Sequence, residues 1–179
     1  NARDITLRAL DLLAGADVLA AEDTRSLRRL MEIHGVALGD RPLVAYHDHN
    51  GERARPRLMA ALEAGQSVVY ASEAGTPLIS DPGFDLMRAA LQAGLPCTTA
   101  PGPTAVVAAL TLSGLPSDRF LFAGFLPNTA GKRKTALAEF NAVPATLIFY
   151  ESPKRRGAIL RDAAEVLGAD REAVVCREL

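Results

Sequence analysis

Short apolar segments alternate with amphipathic segments of helical spacing from the start of the chain to Gly114. The apolar runs predict strands at residues 18–21, 43–46, 67–71 and 97–100. The amphipathic runs predict helices at 6–15, 25–34, 52–64, 84–93 and 103–113, each with a glycine at or near its end, where a left-handed residue often stops a helix. This alternation indicates a mostly parallel sheet with helices on both faces.

The pattern restarts after Gly114-Leu115-Pro116-Ser117-Asp118, a turn-forming stretch that suits a linker. Beyond it we predict strands at 120–125, 146–150 and 173–176, with helices at 131–140 and 154–167. The sequence therefore predicts two α/β domains. The first spans 1–115 and has a mostly parallel sheet flanked by helices; the second, at 116–179, is a smaller mixed α/β domain that we expect to be incomplete.

Composition narrows the function classes. Hydrophobic residues make up 49% of the 179, and the net charge is −1, which favours a packed core and excludes a surface coated with positive charge. No apolar run approaches the roughly 18 residues of a spanning helix, so no membrane association is expected. The two cysteines suggest no disulfide framework, and a cytoplasmic location is the expectation.

Polar loops follow all four predicted strands of the first domain. They read Glu22-Asp23-Thr24-Arg25, His47-Asp48-His49-Asn50, the Gly- and Pro-rich stretch 72–83, and Pro101-Gly102-Pro103-Thr104. Parallel strands end at the same edge of a sheet, so the four loops predict one shared ligand site. Helix capping is the alternative for any single loop, with Asp23 or Thr24 capping one helix and Asn50 the next.

His47 and His49 raise the question of a metal. Their spacing places two imidazoles together, but no cysteine or third ligand lies nearby in the sequence, so no metal is predicted. An acid–base or hydrogen-bonding role near a polar substrate fits the pair. The alternative is that both are solvated loop residues.

Two basic triplets lie in the second domain, Lys132-Arg133-Lys134 and Lys154-Arg155-Arg156. Residues 114–179 hold ten Lys or Arg against eight Asp or Glu, whereas the rest of the chain holds ten against thirteen. Such runs are often only solvated surface, but positive charge gathered on one domain is also what a phosphate backbone requires.

Seven blocks of sequence, taken in order, resemble the RsmI family of bacterial 16S ribosomal RNA cytidine 2′-O-methyltransferases, within the tetrapyrrole-methylase superfamily. The resemblance rests on 21–25, 47–50, 72–83, 101–103, Gly114 to Phe120, Gly124-Phe125-Leu126-Pro127 and Phe149-Tyr150-Glu151-Ser152. It implies a tetrapyrrole-methylase-like fold and methyl transfer from S-adenosylmethionine to a cytidine ribose of 16S rRNA in the small ribosomal subunit. It also implies a homodimer.

The resemblance assigns residues to three roles around a cleft that the second domain completes. Candidate catalytic residues are Asp23, His47, His49 and Glu151. Candidate cofactor-binding residues are Ser72, Glu73, Ala74, Gly75, Thr76, Pro77, Pro101, Gly102, Thr104 and Tyr150. Candidate RNA-binding residues are Arg25, Lys132, Arg133, Lys134, Lys154, Arg155 and Arg156.

The chain departs from the family pattern in two ways. Glu73 stands where the family usually has Asp, and of the family's first strand and Thr-Pro-Ile-Gly-Asn loop only Asn1 is present. The family also continues beyond Leu179, so the sequence is expected to be part of a longer protein. Two alternatives stay open: a methylase of the same superfamily that acts on a tetrapyrrole or another small molecule, and a nucleotide-binding module without catalysis.

Overall fold

The computed structural model describes all 179 residues and divides them into two compact units, Asn1–Thr104 and Ala105–Leu179. The division comes before the predicted boundary at 115/116, because the helix Ala105–Ser113 belongs to the second unit. There the carbonyl of Ala109 lies 3.8 Å from Sγ of Cys176.

The first unit contains a parallel three-stranded sheet in the order β2-β1-β3. Its strands are β1 (Val18–Ala21), β2 (Leu43–Ala45) and β3 (Val68–Ala71). A 3₁₀ turn at Ala2–Asp4 precedes the helices, which are α1 (Leu7–Gly15), α2 (Thr24–Ile33), α3 (Gly51–Glu63) and α4 (Gly83–Gln92). The predicted parallel α/β class is confirmed.

The central strand β1 is buried along its whole length. Side chains alternate across a strand, so Leu19 and Ala21 join one apolar cluster with residues of α1 and α2, whereas Val18 and Ala20 join a second with residues of α3 and α4. A strand covered on both faces is apolar at every position, which is why residues 18–21 read as a continuous hydrophobic run.

The register of the sheet brings the three strands to an end together. Ala21 lies opposite Ala45 on one side and opposite Ala71 on the other. Because all three strands run in the same direction, the residues that follow them emerge at one edge. This edge carries Glu22, Tyr46 and Ser72.

Two predicted strands are wrong: neither 97–100 nor 173–176 forms a strand. No neighbouring strand lies beside either segment, and a strand is stabilised by the backbone hydrogen bonds of its ladder. Cys97, Thr98 and Thr99 are instead exposed, and the Thr98 hydroxyl accepts a hydrogen bond from Arg8. Apolar composition alone did not reveal whether a partner strand was present.

The second unit pairs β4 (Phe120–Phe125) in parallel with β5 (Thr146–Tyr150). Its helices are α5 (Ala105–Ser113), α6 (Ala130–Glu139) and α7 (Arg156–Leu167), the last preceded by a 3₁₀ turn at Pro153–Arg155. No helix of either unit combines the length and the apolar character needed to cross a membrane.

A buried ion pair links α6 to α7. Arg133 is 5% exposed, and its Nη2 and Nε lie 2.6 and 2.7 Å from Oδ2 of Asp162. The same guanidinium donates to the carbonyl of Asn128 at 3.0 Å and to that of Pro127 at 3.3 Å. The prediction that Arg133 contacts RNA is therefore wrong, because α6 turns this side chain inward while its neighbour Lys132 stays exposed.

We expect Arg133→Ala to lower the free energy of unfolding by up to about 3–5 kcal/mol, since it leaves the buried charge of Asp162 with only the more distant Lys134, whose Nζ lies 4.0 Å from Oδ1. Lys132→Ala, the matched change one residue away, should stay within about 0.5 kcal/mol of the parent. Denaturant unfolding of the full-length protein measures both. The double variant Arg133→Met/Asp162→Leu should recover most of the loss, and equal stabilities of the two single variants would contradict the buried pair.

Candidate functional site

A cavity of about 380 Å³ opens at the edge where β1, β2 and β3 end. Its lining residues are Glu22, Asp23, Thr24, Arg25, Ala45, His47 and Glu73. The structure thus brings together four residues that the sequence assigned to three different roles: Asp23, Arg25, His47 and Glu73. Glu22 and Thr24 complete the polar wall.

Asp23 is the N-cap of α2. Its carboxylate accepts hydrogen bonds from the backbone NH groups of Arg25 and Ser26, and Nη2 of Arg25 lies 2.8 Å from Oδ2. The Arg25 side chain and these backbone groups lower the pKa of Asp23 to about 2. The capping alternative is confirmed for this loop, and a carboxylate this acidic is a weak proton acceptor.

The His47 loop is closed by an asparagine. The backbone NH of His47 donates to Oδ1 of Asn50 at 2.8 Å, and Nδ2 of Asn50 donates to the carbonyl of Ala45 at 2.9 Å. Asn50 therefore shapes the loop, but its side chain makes no capping hydrogen bond to α3. Nδ1 of His47 is buried without a protein partner, whereas His49 is exposed with its ring 6.1 Å from that of His47.

Sequence reasoning missed Glu22. This residue lies at the cavity wall, and its Oε2 accepts a hydrogen bond of 3.0 Å from the backbone NH of Glu73. Burial raises the pKa of Glu22, and the nearby charges of Asp81 and Glu73 add to the effect. The sequence signal for Glu22 was an acid directly after a buried strand. The functional interpretation was instead given to the adjacent Asp23, which also has the pattern of a helix cap.

Hydrogen bonds shape the predicted cofactor loop at residues 72–77 and join it to the one at 101–104. The Thr76 hydroxyl donates to the carbonyl of Pro103 at 3.0 Å, and the Ser72 hydroxyl donates to the carbonyl of Gly75 at 3.1 Å. The carbonyl of Pro101 accepts from the hydroxyl of Thr6 at 3.2 Å. Ala74, Gly75 and Gly102 are exposed and leave their backbone accessible, and Pro77 and Thr104 are half-buried.

Past Pro77 the loop is strained. Leu78 and Ser80 have φ values of 72° and 56°, in the left-handed region that side chains other than glycine avoid. Oδ1 of Asp81 accepts hydrogen bonds from the NH of Leu78 at 3.2 Å and from that of Gly83 at 2.8 Å. Gly83 is required at its position, because a Cβ there would lie 2.3 Å from Cε1 of Tyr70.

The second unit holds Tyr150 and Glu151 at the end of β5. The Tyr150 ring packs against those of Phe122 and Phe125, with centroids 4.7 and 5.6 Å away. Oε1 of Glu151 accepts from Nε of Arg155 at 2.7 Å and from the NH of Ser152 at 2.6 Å, whereas Oε2 is buried without a partner.

Arg155 faces inward as well. Beyond Glu151 it binds the side chain of Asn128 and donates to the carbonyl of Leu126 at 3.2 Å, so it ties the loop after β4 to the loop after β5. Three acceptor groups of the protein's own loops, those of Glu151, Asn128 and Leu126, therefore engage three of the five N–H donors of the Arg155 guanidinium. These internal bonds disfavour the prediction that Arg155 contacts RNA.

The remaining basic residues differ in their partners. Nζ of Lys134 lies 2.6 Å from Oε2 of Glu165. Lys132, Lys154 and Arg156 are exposed and have no ion pair or hydrogen bond from their side chains. They lie at the beginnings of α6, of the 3₁₀ turn and of α7, where the chain leaves the ends of β4 and β5.

Known proteins are similar in sequence to this chain along its whole length. It is 54% identical over 179 residues to "Ribosomal RNA small subunit methyltransferase I" of Mesorhizobium japonicum and 46% identical to the protein of that name from Escherichia coli O157:H7. Each match takes in 100% of this chain but only 60% and 62% of the relatives, so the chain spans about three fifths of their length.

Among solved structures, a uroporphyrin-III C-methyl transferase from Thermus thermophilus, complexed with S-adenosyl homocysteine, is similar with a TM-score of 0.61 and 24% identity. The match covers 95% of this chain and 72% of that one, and it supports the fold. Residues 1–179 match the family described as Tetrapyrrole (Corrin/Porphyrin) Methylases. With strand-end loops, parallel sheets and relatives in agreement, the chain belongs to the tetrapyrrole methylase family.

Proposed function

We propose that this chain is part of an S-adenosylmethionine-dependent enzyme that methylates the 2′-hydroxyl of a cytidine ribose in 16S rRNA. The observation that carries the proposal is the polar cavity at the ends of β1, β2 and β3, in a chain 54% identical to a protein named for ribosomal RNA methylation. Its carboxylates can hold a cationic ligand, its imidazole can move a proton, and its guanidinium can bind a phosphate.

The residues at the cavity fit S-adenosylmethionine. A volume of about 380 Å³ falls within the range of roughly 300–1,000 Å³ that is usual for small-molecule sites. Glu73 offers a carboxylate to a positively charged ligand, and the exposed backbone of Ala74 and Gly75, the next two residues of the loop, offers main-chain hydrogen bonds. When bound, this cofactor supplies an electrophilic methyl group on a positively charged sulfur.

His47 is the residue best suited to accept the proton of a ribose hydroxyl. It lines the cavity, its loop is fixed by Asn50, and its Nδ1 has no protein partner. Asp23 lines the same cavity, but capping and its pairing with Arg25 make it a poor base. His49 is exposed, and Oε1 of Glu151 is engaged by Arg155, so neither matches the position of His47.

Contacts with RNA phosphates are assigned to Lys132, Lys154 and Arg156. Positive charge at the beginning of a helix is unfavourable next to the positive end of the helix dipole, and none of the three is compensated by an acid. An anionic partner would compensate all of them. Lys134 is already neutralised by Glu165, and Arg25 presents an exposed guanidinium beside the cavity. Assembly as a homodimer and a cytoplasmic location stay predictions.

Transfer of a labelled methyl group tests the proposal. The full-length protein should label small ribosomal subunits that lack this modification, and the labelled linkage should resist alkali, because a 2′-O-methyl group removes the nucleophile of alkaline cleavage. Label on a tetrapyrrole but not on RNA would favour the small-molecule methylase. If no methyl group is transferred and calorimetry detects no binding of S-adenosylmethionine, the result would favour the non-catalytic module.

His47→Gln should lower kcat for methyl transfer by about 10²–10⁴-fold, the usual contribution of a positioned base, while the Kd for S-adenosylhomocysteine changes by less than about twofold. The matched control is His49→Gln, with the same change on an exposed ring, and it should stay within about threefold in kcat. Single-turnover kinetics and calorimetry measure the two quantities. Equal losses in both variants would remove His47 from the role of base.

Replacing Lys132, Lys154 and Arg156 together with Gln should weaken RNA binding and reduce the slope of log K against log salt by about two to three, since each phosphate contact contributes about 0.7–0.9. Affinity for S-adenosylhomocysteine should not change. The control carries the same loss of charge at Arg28, Arg57 and Arg88, which are exposed and unpaired in the first unit. If both triple variants shift the slope equally, the effect is one of net charge and the three residues form no contact.

A further inference from the structure

We infer that Glu22 and Asp81 are a pair of positioning residues that fix the backbone of residues 73–83, and that they do so while one proton is held between their carboxyl groups. The inference deepens the proposed function and rests on it in one respect, since this loop is the one through which the chain would hold S-adenosylmethionine. The two acids come from different segments, one directly after β1 and the other beyond β3.

The first argument is that the two carboxyl groups restrain the loop at both ends. Oε2 of Glu22 accepts the NH of Glu73 at 3.0 Å, where the loop leaves β3. Oδ1 of Asp81 accepts the NH of Gly83 at 2.8 Å, where α4 begins, and also that of Leu78. These are bonds from side chains to the main chain, so they fix the path of the backbone and not only a rotamer.

The second argument is that this path needs restraint. Leu78 and Ser80 both adopt left-handed φ values, and a residue other than glycine in that region costs of order 1–3 kcal/mol. The NH of Leu78 is one of the two groups that Asp81 holds. Loss of this acceptor would free the loop to relax towards ordinary backbone angles and to move Glu73 away from the cavity.

The third argument is that one carboxyl oxygen of Asp81 lacks a hydrogen-bond partner. Its Oδ2 is buried without a hydrogen-bond partner, and so is the hydroxyl of Tyr70 on β3. The carboxyl group of Glu22 is close enough for its charge to interact with both. Two carboxylates that share a partly buried space repel each other when both are ionised, so the first proton that the pair binds is held more tightly. Asp81 already accepts two NH groups and Glu22 one, which places the proton on Glu22.

Titration of Glu22 then sets the pH dependence of the loop. Its pKa is raised by burial first, and then by the charges of Asp81 and Glu73, against the opposing effect of the Glu73 NH. The stabilisation by the protonated form is complete below the ordinary pKa of a glutamic acid and is lost as the pH rises through the raised value. Other titratable or charged groups that face the pair or line the same cavity are Tyr70, Asp23, Arg25 and His47.

Hydrogen exchange tests the restraint without any ligand. In the full-length protein, protection of residues 73–83 should fall as the pH rises from about 5 to about 8, by up to about tenfold per pH unit above the pKa of Glu22, after correction for intrinsic exchange. Glu22→Gln keeps the acceptor for the Glu73 NH and supplies a permanent donor for Asp81, so its protection should stay at the low-pH level throughout. Glu63→Gln, at an exposed position whose side chain makes no hydrogen bond or ion pair, is the matched control and should follow the parent.

Calorimetry with S-adenosylhomocysteine gives the second readout. The Kd of the parent should rise relative to that of Glu22→Gln as the pH rises. Asp81→Ala removes the acceptor of both NH groups and should weaken binding at every pH by at least about tenfold, the equivalent of one lost hydrogen bond to a charged group. Identical pH profiles of parent and Glu22→Gln in both measurements would overturn the inference. A protection difference without any binding of S-adenosylhomocysteine would support the loop restraint and reject the proposed function instead.

Discussion

Burial of β1 on both faces is the constraint on which the first unit depends. Helices α1 and α2 cover one side of the strand and α3 and α4 the other, and its parallel pairing with β2 and β3 brings Ala21, Ala45 and Ala71 into one row. The chain must then leave all three strands at the same edge. Polar residues placed there are close in space although they are far apart in sequence, so the site follows from the packing of an apolar strand that carries no chemistry of its own.

The basic residues of the second unit have different structural roles from those that the two triplets suggest in the sequence. Of the six residues in the two basic triplets, Arg133 and Arg155 face inward and hold the loop after β4 through carbonyl groups of residues 126–128. A guanidinium has five donors in a rigid fork, so it can satisfy several loop acceptors at once, whereas the lysine ammonium is compact and strongly hydrated. The different roles follow from this difference: both inward-facing residues are arginines, and both lysines that begin a triplet are exposed.

The sequence predicted the parts of the fold that depend on local chemistry and failed where a distant partner decides. Periodicity placed all seven α-helices and the five observed strands, because a covered strand and an amphipathic helix leave different repeats. It also predicted strands at 97–100 and 173–176, because an apolar run does not reveal whether a partner strand is present to form backbone hydrogen bonds with it. In the site, strand-end position identified Asp23, His47 and Glu73. Glu22 was missed although it directly follows a buried strand, and the inward turn of Arg133 left no signal in the sequence. Each role is defined by a partner about thirty or more residues away, Glu73 at the cavity and Asp162 on α7.

The glutamate at position 73, where the family resemblance leads us to expect an aspartate, is consistent with this arrangement. What the protein holds at this position is the backbone NH, bound by Glu22, while the Glu73 side chain is exposed at the cavity wall. One additional methylene changes how far the carboxylate reaches into the cavity but does not disturb the hydrogen bond that fixes the loop. The longer side chain retains the negative charge that raises the pKa of Glu22. A glutamate at this position therefore preserves both the path of the loop and the negative charge next to Glu22.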